Sequence, residues 1–348
     1  MSMEKADPAM GKVIIIAEAG VNHNGKLSIA KKLIDVAAKA GADFVKFQSF
    51  KAKRLAGKSA GQAAYQEKNT GKKESQLQML GRLELSDKDH RKLLAHCEKR
   101  KIAFLSTPFD QESIRLLVSL GVSLGKIPSG EITNLPYLRQ MAASFPQIVL
   151  STGMSTMQEV RDALQVLESA GRAKDDITVL HCTTEYPTPM TEVNLRAMVT
   201  MREQLGVKTG YSDHTKGIEV ATAAVALGAT LIEKHFTLDR KMEGPDHKAS
   251  LEPRELKEMI TAIRNIEKAM GNGEKKPVPS ELANIAVARK SLMAARDLPA
   301  GHRLTAVDIA IKRPGTGMTP MRLPDVIGKT LARAVNEDEL FSPKDFAS

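Results

Sequence analysis

Two lysines, Lys46 in VKFQSF and Lys126 in GKIPSG, stand between apolar residues in short strand-like runs. A charge in such a run is costly unless it meets a partner or a ligand. Hydroxyl residues close similar runs: Ser106-Thr107, Ser129, Ser151-Thr152 and Ser212. Two ammonium groups with hydroxyls and glycine-bearing turns, Ser129-Gly130 and Thr152-Gly153, suit a phosphate or a carboxylate. The rival chemistry is a Schiff base on one desolvated lysine. His214 and His235 suggest a second role. On neighbouring strands, about 4.8 Å apart, two imidazoles at matching levels reach one ion, with oxygen donors completing its shell. No thiolate pair is at hand, so a divalent ion such as Mn²⁺ (or Mg²⁺ or Co²⁺) suits this pair better than structural zinc. Glu18, Glu131 and Glu233 add carboxylates at or near run ends. His23, in NHNG, either serves the same site or caps a loop. His90 and His96 lie on a helical pattern and read as packing or surface residues. His181 precedes Cys182, but strand neighbours point opposite ways, which argues against a Cys–His nucleophile.

What positions these residues is an alternation of short β-branched runs and amphipathic stretches. The runs cover 13–20, 42–50, 102–109, 124–130, 147–153, 177–186, 207–215 and 230–238, and each is followed by apolar residues at helical spacing. Eight strand–helix units in about 260 residues match a (β/α)₈ TIM barrel better than an open sheet. In that fold the active site lies at the carboxyl ends of the strands, where inward side chains recur with period two. The strand ends carry Glu18, Lys46 with Gln48, Thr107, Lys126 with Ser129 and Glu131, Ser151, His181 with Thr183, Thr184 and Tyr186, Ser212 with His214, and Glu233 with His235. All eight thus deliver polar groups to one end, which core packing alone does not explain. The boundaries read as a disordered lead-in at 1–12, a barrel at 13–270, a linker at 271–285 and a small β-rich domain at 286–348. A long insert at about 51–85, rich in Gly, Gln and Lys, reads as a lid or a disordered loop.

Composition narrows the class. The chain has 348 residues, 42% apolar and 26% charged, with two cysteines and no tryptophan. That describes a globular protein without a disulfide framework, suited to a reducing cytoplasm. No run is long enough for a membrane span or a signal peptide core. With only 4% aromatic residues, stacking platforms for nucleic acid are scarce. Lys and Arg exceed Asp and Glu by 51 to 41. Five basic residues and no acid lie from Lys46 to Lys58, a placement that would concentrate a small anionic substrate.

The strand-end segments IIAEAGVNHNG, VKFQSF, YQEKNTG, STPFD, KIPSGEITNLPYL, LSTGM, HCTTEYPTP, GYSDHT, EKHFTLDR and EGPDHKASLEP together resemble the sialic acid synthases. The likeness runs from about 13 to 346, and is strongest to the N-acetylneuraminate synthases, with their legionaminate and pseudaminate relatives. The C-terminal ARKSLMAARDLPAGHRLTAVDIAIKRPGTG resembles the antifreeze-like (SAF) domain of those enzymes. The resemblance implies condensation of phosphoenolpyruvate with an open-chain N-acylated mannosamine, with release of phosphate. N-acetylmannosamine is the expected sugar, and the diacetamido-trideoxy sugar that leads to legionaminate is the alternative. Lys46, Thr107, Lys126, Ser129, Ser151, Thr184, Tyr186 and Ser212 would then hold phosphoenolpyruvate. Thr184 stands where some members carry Asn. Glu18, Gln48, Asn69, Tyr186, Asp246 and Arg313 would hold the sugar, and His214 and His235 the metal, expected to be Mn²⁺. Glu131 is the first candidate for proton transfer, with Glu233 and Glu18 beside it. The resemblance also implies a domain-swapped homodimer in which Arg313 reaches the other copy's sugar.

Overall fold

The computed structural model describes residues 11–57, 59–71 and 73–347. Residues 1–10 of the expected lead-in, and Lys58 of the basic run, lie outside them. The chain divides into two compact units between Asn272 and Gly273.

The first unit is built on eight parallel strands: β1 (Ile14–Gly20), β2 (Phe44–Ser49), β3 (Ala103–Pro108), β4 (Leu124–Ile127), β5 (Gln147–Ser151), β6 (Ile177–His181), β7 (Lys208–Asp213) and β8 (Leu231–His235). They pair in the order 3-2-1-8-7-6-5-4, and β3 packs beside β4 to close the barrel. Helices α1 (Leu27–Ala40), α2 (Ala52–Leu55), α3 (Ala64–Thr70), α4 (Gln76–Leu83), α5 (Asp87–Arg100), α6 (Gln111–Ser119), α7 (Leu135–Ser144), α8 (Met157–Ser169), α9 (Arg196–Leu205), α10 (Glu219–Ala226) and α11 (Pro253–Ala269) fill the connections. The main core lies between sheet and helices. Period two then sorts the interior into two layers. Ile16, Leu105, Val149, Leu180 and Leu231 form a separate apolar cluster, and the inward residues two places further on are Glu18, Thr107, Ser151, Cys182 and Glu233. A plug of hydrocarbon therefore underlies a polar floor. Gly210 belongs to the plug: a Cβ there would sit 2.3 Å from the Leu231 carbonyl oxygen and 2.7 Å from Leu180.

The insert at 51–85 is largely helical rather than a loop. Ser75 caps α4, its hydroxyl accepting from the Gln78 amide, while Gln78 reaches back to the Ser75 amide. Met79 and Leu83 of that helix pack with Val21 and Phe50. These two turns are too short for a clear periodic signal, and the polar residues around them mask it.

The second unit pairs β9 (Ser291–Ala294) with β10 (Ile309–Lys312), antiparallel, around Leu292, Leu298, Leu304, Leu331, Val335 and Phe341. The stretch read as a linker carries helix α12 (Pro279–Ala288). Proline at its first turn and Glu281 accepting from the Val278 amide start it, and the Gly315 amide donates to the Ala286 carbonyl. Asp308 ties this unit together. Its buried carboxylate accepts from His302 at 3.0 Å, from the Thr305 amide at 2.9 Å and hydroxyl at 2.7 Å, and from Arg296 at 2.6 Å. Those donors, His302 first, hold its pKa well below the usual carboxylate range. A depressed folded pKa contributes stability above the unfolded value, about 4, and that contribution is lost as pH falls below it. Asp308→Ala should lower the unfolding midpoint of the second unit by about 5–10 °C at pH 7. Calorimetry of the full chain should show the deficit shrinking as pH is lowered towards 3.

Candidate active site

The polar floor is a connected network. Glu18 on β1 lies level with Lys46 on β2 and with His235 on β8, and Ser212 on β7 lies level with Glu233 on β8. The Lys46 ammonium is 3.0 Å from Glu18, 3.4 Å from Glu233, and donates to the Thr107 hydroxyl at 2.8 Å. Lys126 donates to the Ser151 hydroxyl at 2.7 Å and lies 3.6 Å from the other Glu233 oxygen. Ser212 donates to that oxygen at 2.9 Å. Glu233 thus bridges both lysines. All of these side chains are buried. Burial raises the Glu18 carboxyl, with Glu233 adding to the rise and Lys46 opposing it. Burial acts on Glu233 in the same sense, but Lys126, Lys46 and the Ser212 bond outweigh it and hold that carboxylate low. Two adjacent carboxylates are therefore driven apart. Lys46, despite its burial, is held above the usual lysine value by Glu18 and Glu233, whereas burial brings Lys126 below it.

A second group adjoins Lys126. The Gly153 amide donates to Ser129 at 2.9 Å, and the Ser129 hydroxyl lies 3.3 Å from the Cys182 sulfur. A Cβ on Gly153 would meet Thr184 Oγ1 at 2.2 Å and Ser129 Oγ at 2.9 Å, so only glycine leaves these hydroxyls in place. Thr184 Oγ1 is buried without a hydrogen-bond partner.

His214 and His235 stand with ring centroids 5.7 Å apart, and Tyr186 lies 4.1 Å from the first and 5.6 Å from the second. His214 Nδ1 donates to the Thr183 carbonyl at 2.6 Å, which fixes the tautomer and leaves Nε2 with its lone pair. His235 Nδ1 is buried without a partner. Burial pulls His214 down to about 4 and His235 well below its ordinary value. Burial thus favours the neutral ring at both positions, the state in which imidazole binds a cation. Among the described residues no third His, Cys, Asp or Glu joins them to make a closed metal cage. The pair is suited to an open site whose remaining positions go to water and substrate.

Other expected residues fall around this centre. Gln48 is half-buried on β2, level with Thr107. Asn69 of α3 donates to the Pro245 carbonyl at 2.7 Å, and the buried Asp246 follows, its carboxyl raised by burial to about 6. Arg313 belongs to the second unit, where its Nε donates to the Ala288 carbonyl.

Two expectations need correction. Glu131 does not join the lysines. It ends a single helical turn after β4, accepts from Asn134 at 2.6 Å, and lines a separate cavity of about 470 Å³ with Arg54, Arg115 and Tyr137. His181 faces away from the barrel interior and bonds the Val193 carbonyl, because Leu180 and Cys182 take the inward positions. Of the two roles open to His23, its contacts fit the loop cap: its Nδ1 accepts from the Gly25 amide, and burial pulls it down to about 4. The sequence reading also passed over the groups behind the site, notably the Thr183 carbonyl and the buried Asp213 and Lys234.

A (β/α)₈ barrel whose open end holds two lysines, two carboxylates, hydroxyls and two neutral imidazoles is an enzyme scaffold for an anionic substrate. Residues 33–275 match the NeuB family and residues 289–347 the SAF domain. The chain is 55% identical to the N,N'-diacetyllegionaminic acid synthase of Campylobacter jejuni, over 95% of this chain and 99% of that one. It is 46% identical to the enzyme of the same name from Legionella pneumophila, over 91% and 90%. A solved N-acetylneuraminic acid synthetase from Leptospira borgpetersenii shares 33% identity with a TM-score of 0.70, covering 82% of this chain and 94% of that one. The chain belongs to the NeuB family of sialic acid synthases and is an enzyme of that class. Among the described residues no helix is long and apolar enough to cross a membrane.

Proposed function

We propose that the chain condenses phosphoenolpyruvate with a 2,4-diacetamido-2,4,6-trideoxymannose to give N,N'-diacetyllegionaminate and phosphate. The observation that carries the condensation is the bridging of Lys46 and Lys126 by Glu233 at the barrel mouth. The choice of sugar differs from N-acetylmannosamine, the first expectation. It is favoured by the names of the two relatives at 55% and 46% identity.

In this reading Lys46, Lys126 and the hydroxyls of Thr107, Ser129, Ser151, Thr184 and Ser212 hold the phosphate and carboxylate. Glu18, Gln48, Asn69, Tyr186 and Asp246 hold the sugar, with Arg313 supplied from another copy in a swapped homodimer. The C3 carbon of phosphoenolpyruvate forms a bond to the aldehyde carbon, and the aldehyde oxygen takes a proton. The cationic C2 left behind faces the Glu233 carboxylate. Water adds at C2 as its proton passes to Glu233 Oε2, the oxygen that lies 3.4 Å from the Lys46 ammonium. The C2–O bond to phosphate then breaks, the new hydroxyl's proton leaves with the phosphate, and C2 becomes a ketone. Glu233 takes this role rather than Glu131 because it alone touches both lysines. His214 and His235 would hold a divalent cation, Mn²⁺ first, which when bound supplies Lewis-acid polarisation of the aldehyde. The two free, buried cysteines suit a cytoplasmic enzyme.

Phosphate release measured with each sugar in parallel tests the assignment. The trideoxy sugar should exceed N-acetylmannosamine in kcat/KM by about tenfold or more, the range in which a pocket built for one substituent rejects another. Equal rates, or a preference for N-acetylmannosamine, would return the assignment to N-acetylneuraminate.

A further inference from the structure

We propose that the buried Asp213–Lys234 pair is a positioning device that sets the geometry of four site residues from behind the barrel wall. It rests on the reading of Ser212, His214, Glu233 and His235 as the working groups. β7 and β8 are in register with Ser212 beside Glu233 and Asp213 beside Lys234. Because side chains alternate, the first pair turns inward and the second outward, into the layer between sheet and helices. There Asp213 and Lys234 are fully buried, both at 0% exposure, with Nζ to Oδ2 at 2.8 Å.

The pair does more than neutralise itself. Lys234 also donates to the Thr215 carbonyl at 2.6 Å, while Asp213 Oδ1 accepts from the Thr215 amide at 2.8 Å and hydroxyl at 2.7 Å. The three residues close a clasp around the chain leaving β7. His214 projects from the middle of that clasp, its ring held on the other side by the Thr183 carbonyl. Lys234 is itself flanked by Glu233 and His235. Each of the four inward groups is thus covalently adjacent to a clasp residue.

The attraction between the two charges does not by itself account for such a pair. Apolar residues of similar volume often replace a buried ion pair without loss, because desolvation cancels much of the attraction. Fixing one register, and with it the aim of neighbouring side chains, is what a charged pair adds. Glu219 and Glu255 supply further negative potential at Lys234, so removing Asp213 alone does not leave the ammonium without counter-charge.

The test is the double variant Asp213→Leu/Lys234→Met, with Thr215→Val as a milder partner that deletes only the hydroxyl link. Three quantities are read: the unfolding midpoint, kcat and KM for phosphoenolpyruvate, and Mn²⁺ affinity from the paramagnetic resonance of the free ion. A positioning role gives a double variant that still folds, its midpoint lowered by the Thr215 groups left unpaired, and that loses about 10–100-fold in kcat and in Mn²⁺ affinity when assayed well below that midpoint. Thr215→Val should show a smaller loss of both. Parent-like kcat and Mn²⁺ affinity in a folded double variant would overturn the proposal. If the double variant does not fold, Thr215→Val decides, and unchanged kcat there overturns it. His214→Ala separates the two layers of the reading. Should it remain active, the site assignment fails; should it be inactive while the clasp variants work normally, only the positioning role fails.

Discussion

Lys46→Met should lose between about a hundred- and ten-thousand-fold in kcat/KM, corresponding to two charge-assisted contacts at roughly 1.5–3 kcal/mol each. It should also be markedly less stable. Removing this ammonium leaves Glu18 and Glu233 buried against each other, and an uncompensated buried charge costs about 3 kcal/mol or more. For a unit of this size that is a fall of roughly 6–12 °C in unfolding midpoint. Lys126→Met is the informative contrast. Its ammonium donates to a neutral hydroxyl and lies 3.6 Å from Glu233, which keeps Lys46 at 3.4 Å and the Ser212 bond. The activity loss should therefore be comparable and the loss of stability much smaller. Phosphate release assayed well below both midpoints, beside thermal unfolding, checks the pair. If Lys126→Met proves the more destabilised, the assignment of Lys46 as the principal counter-charge is wrong.

The second large effect is expected from chelation of the divalent metal proposed at His214 and His235. Incubation with EDTA should abolish phosphate release, and added Mn²⁺ should restore it. His214→Ala and His235→Ala should each remain inactive at Mn²⁺ concentrations that saturate the parent protein. A site of two imidazoles with no third protein ligand would be weak, so exchange should be fast and rescue immediate. Full turnover in chelator would remove the metal from the reaction and leave the two histidines as packing partners of Tyr186.

Much of this centre is legible in the sequence because period two is strict within a strand. Glu18, Lys46, Thr107, Lys126 and Glu233 all fall on the parity that carries the apolar plug below them. The reading weakens where the strand ends. β6 stops at His181, and the inward parity belongs to Leu180 and Cys182. Glu131 comes after β4 within a tight helical turn, where alternation no longer says which way a side chain points. Helices α4 and α12 escaped because caps start them, Ser75 with Gln78 and Pro279 with Glu281, within stretches whose polar composition reads as loop. The clasp is hardest to foresee. Asp213 and Lys234 are twenty-one positions apart, and only the pairing of β7 with β8 brings them together. A signal exists, since charged residues of opposite sign occupy the outward parity of two adjacent strands whose inward parity is already polar.

The same geometry limits the alternatives. A Schiff base needs a lysine that is free, neutral and exposed to a carbonyl. Lys46 lies against two carboxylates, and Lys126 donates to Ser151 beside the carboxylate they share. Pyruvate with borohydride should therefore leave both residues unmodified.

Phosphoenolpyruvate carrying ¹⁸O at the bridging position, turned over with the trideoxy sugar and Mn²⁺, tests the proposed condensation most directly. Water attack at C2 beside Glu233 breaks the C2–O bond, so the label should leave with phosphate, and only when the sugar is present. Label retained in the sugar acid, or phosphate released at the same rate without sugar, would contradict it.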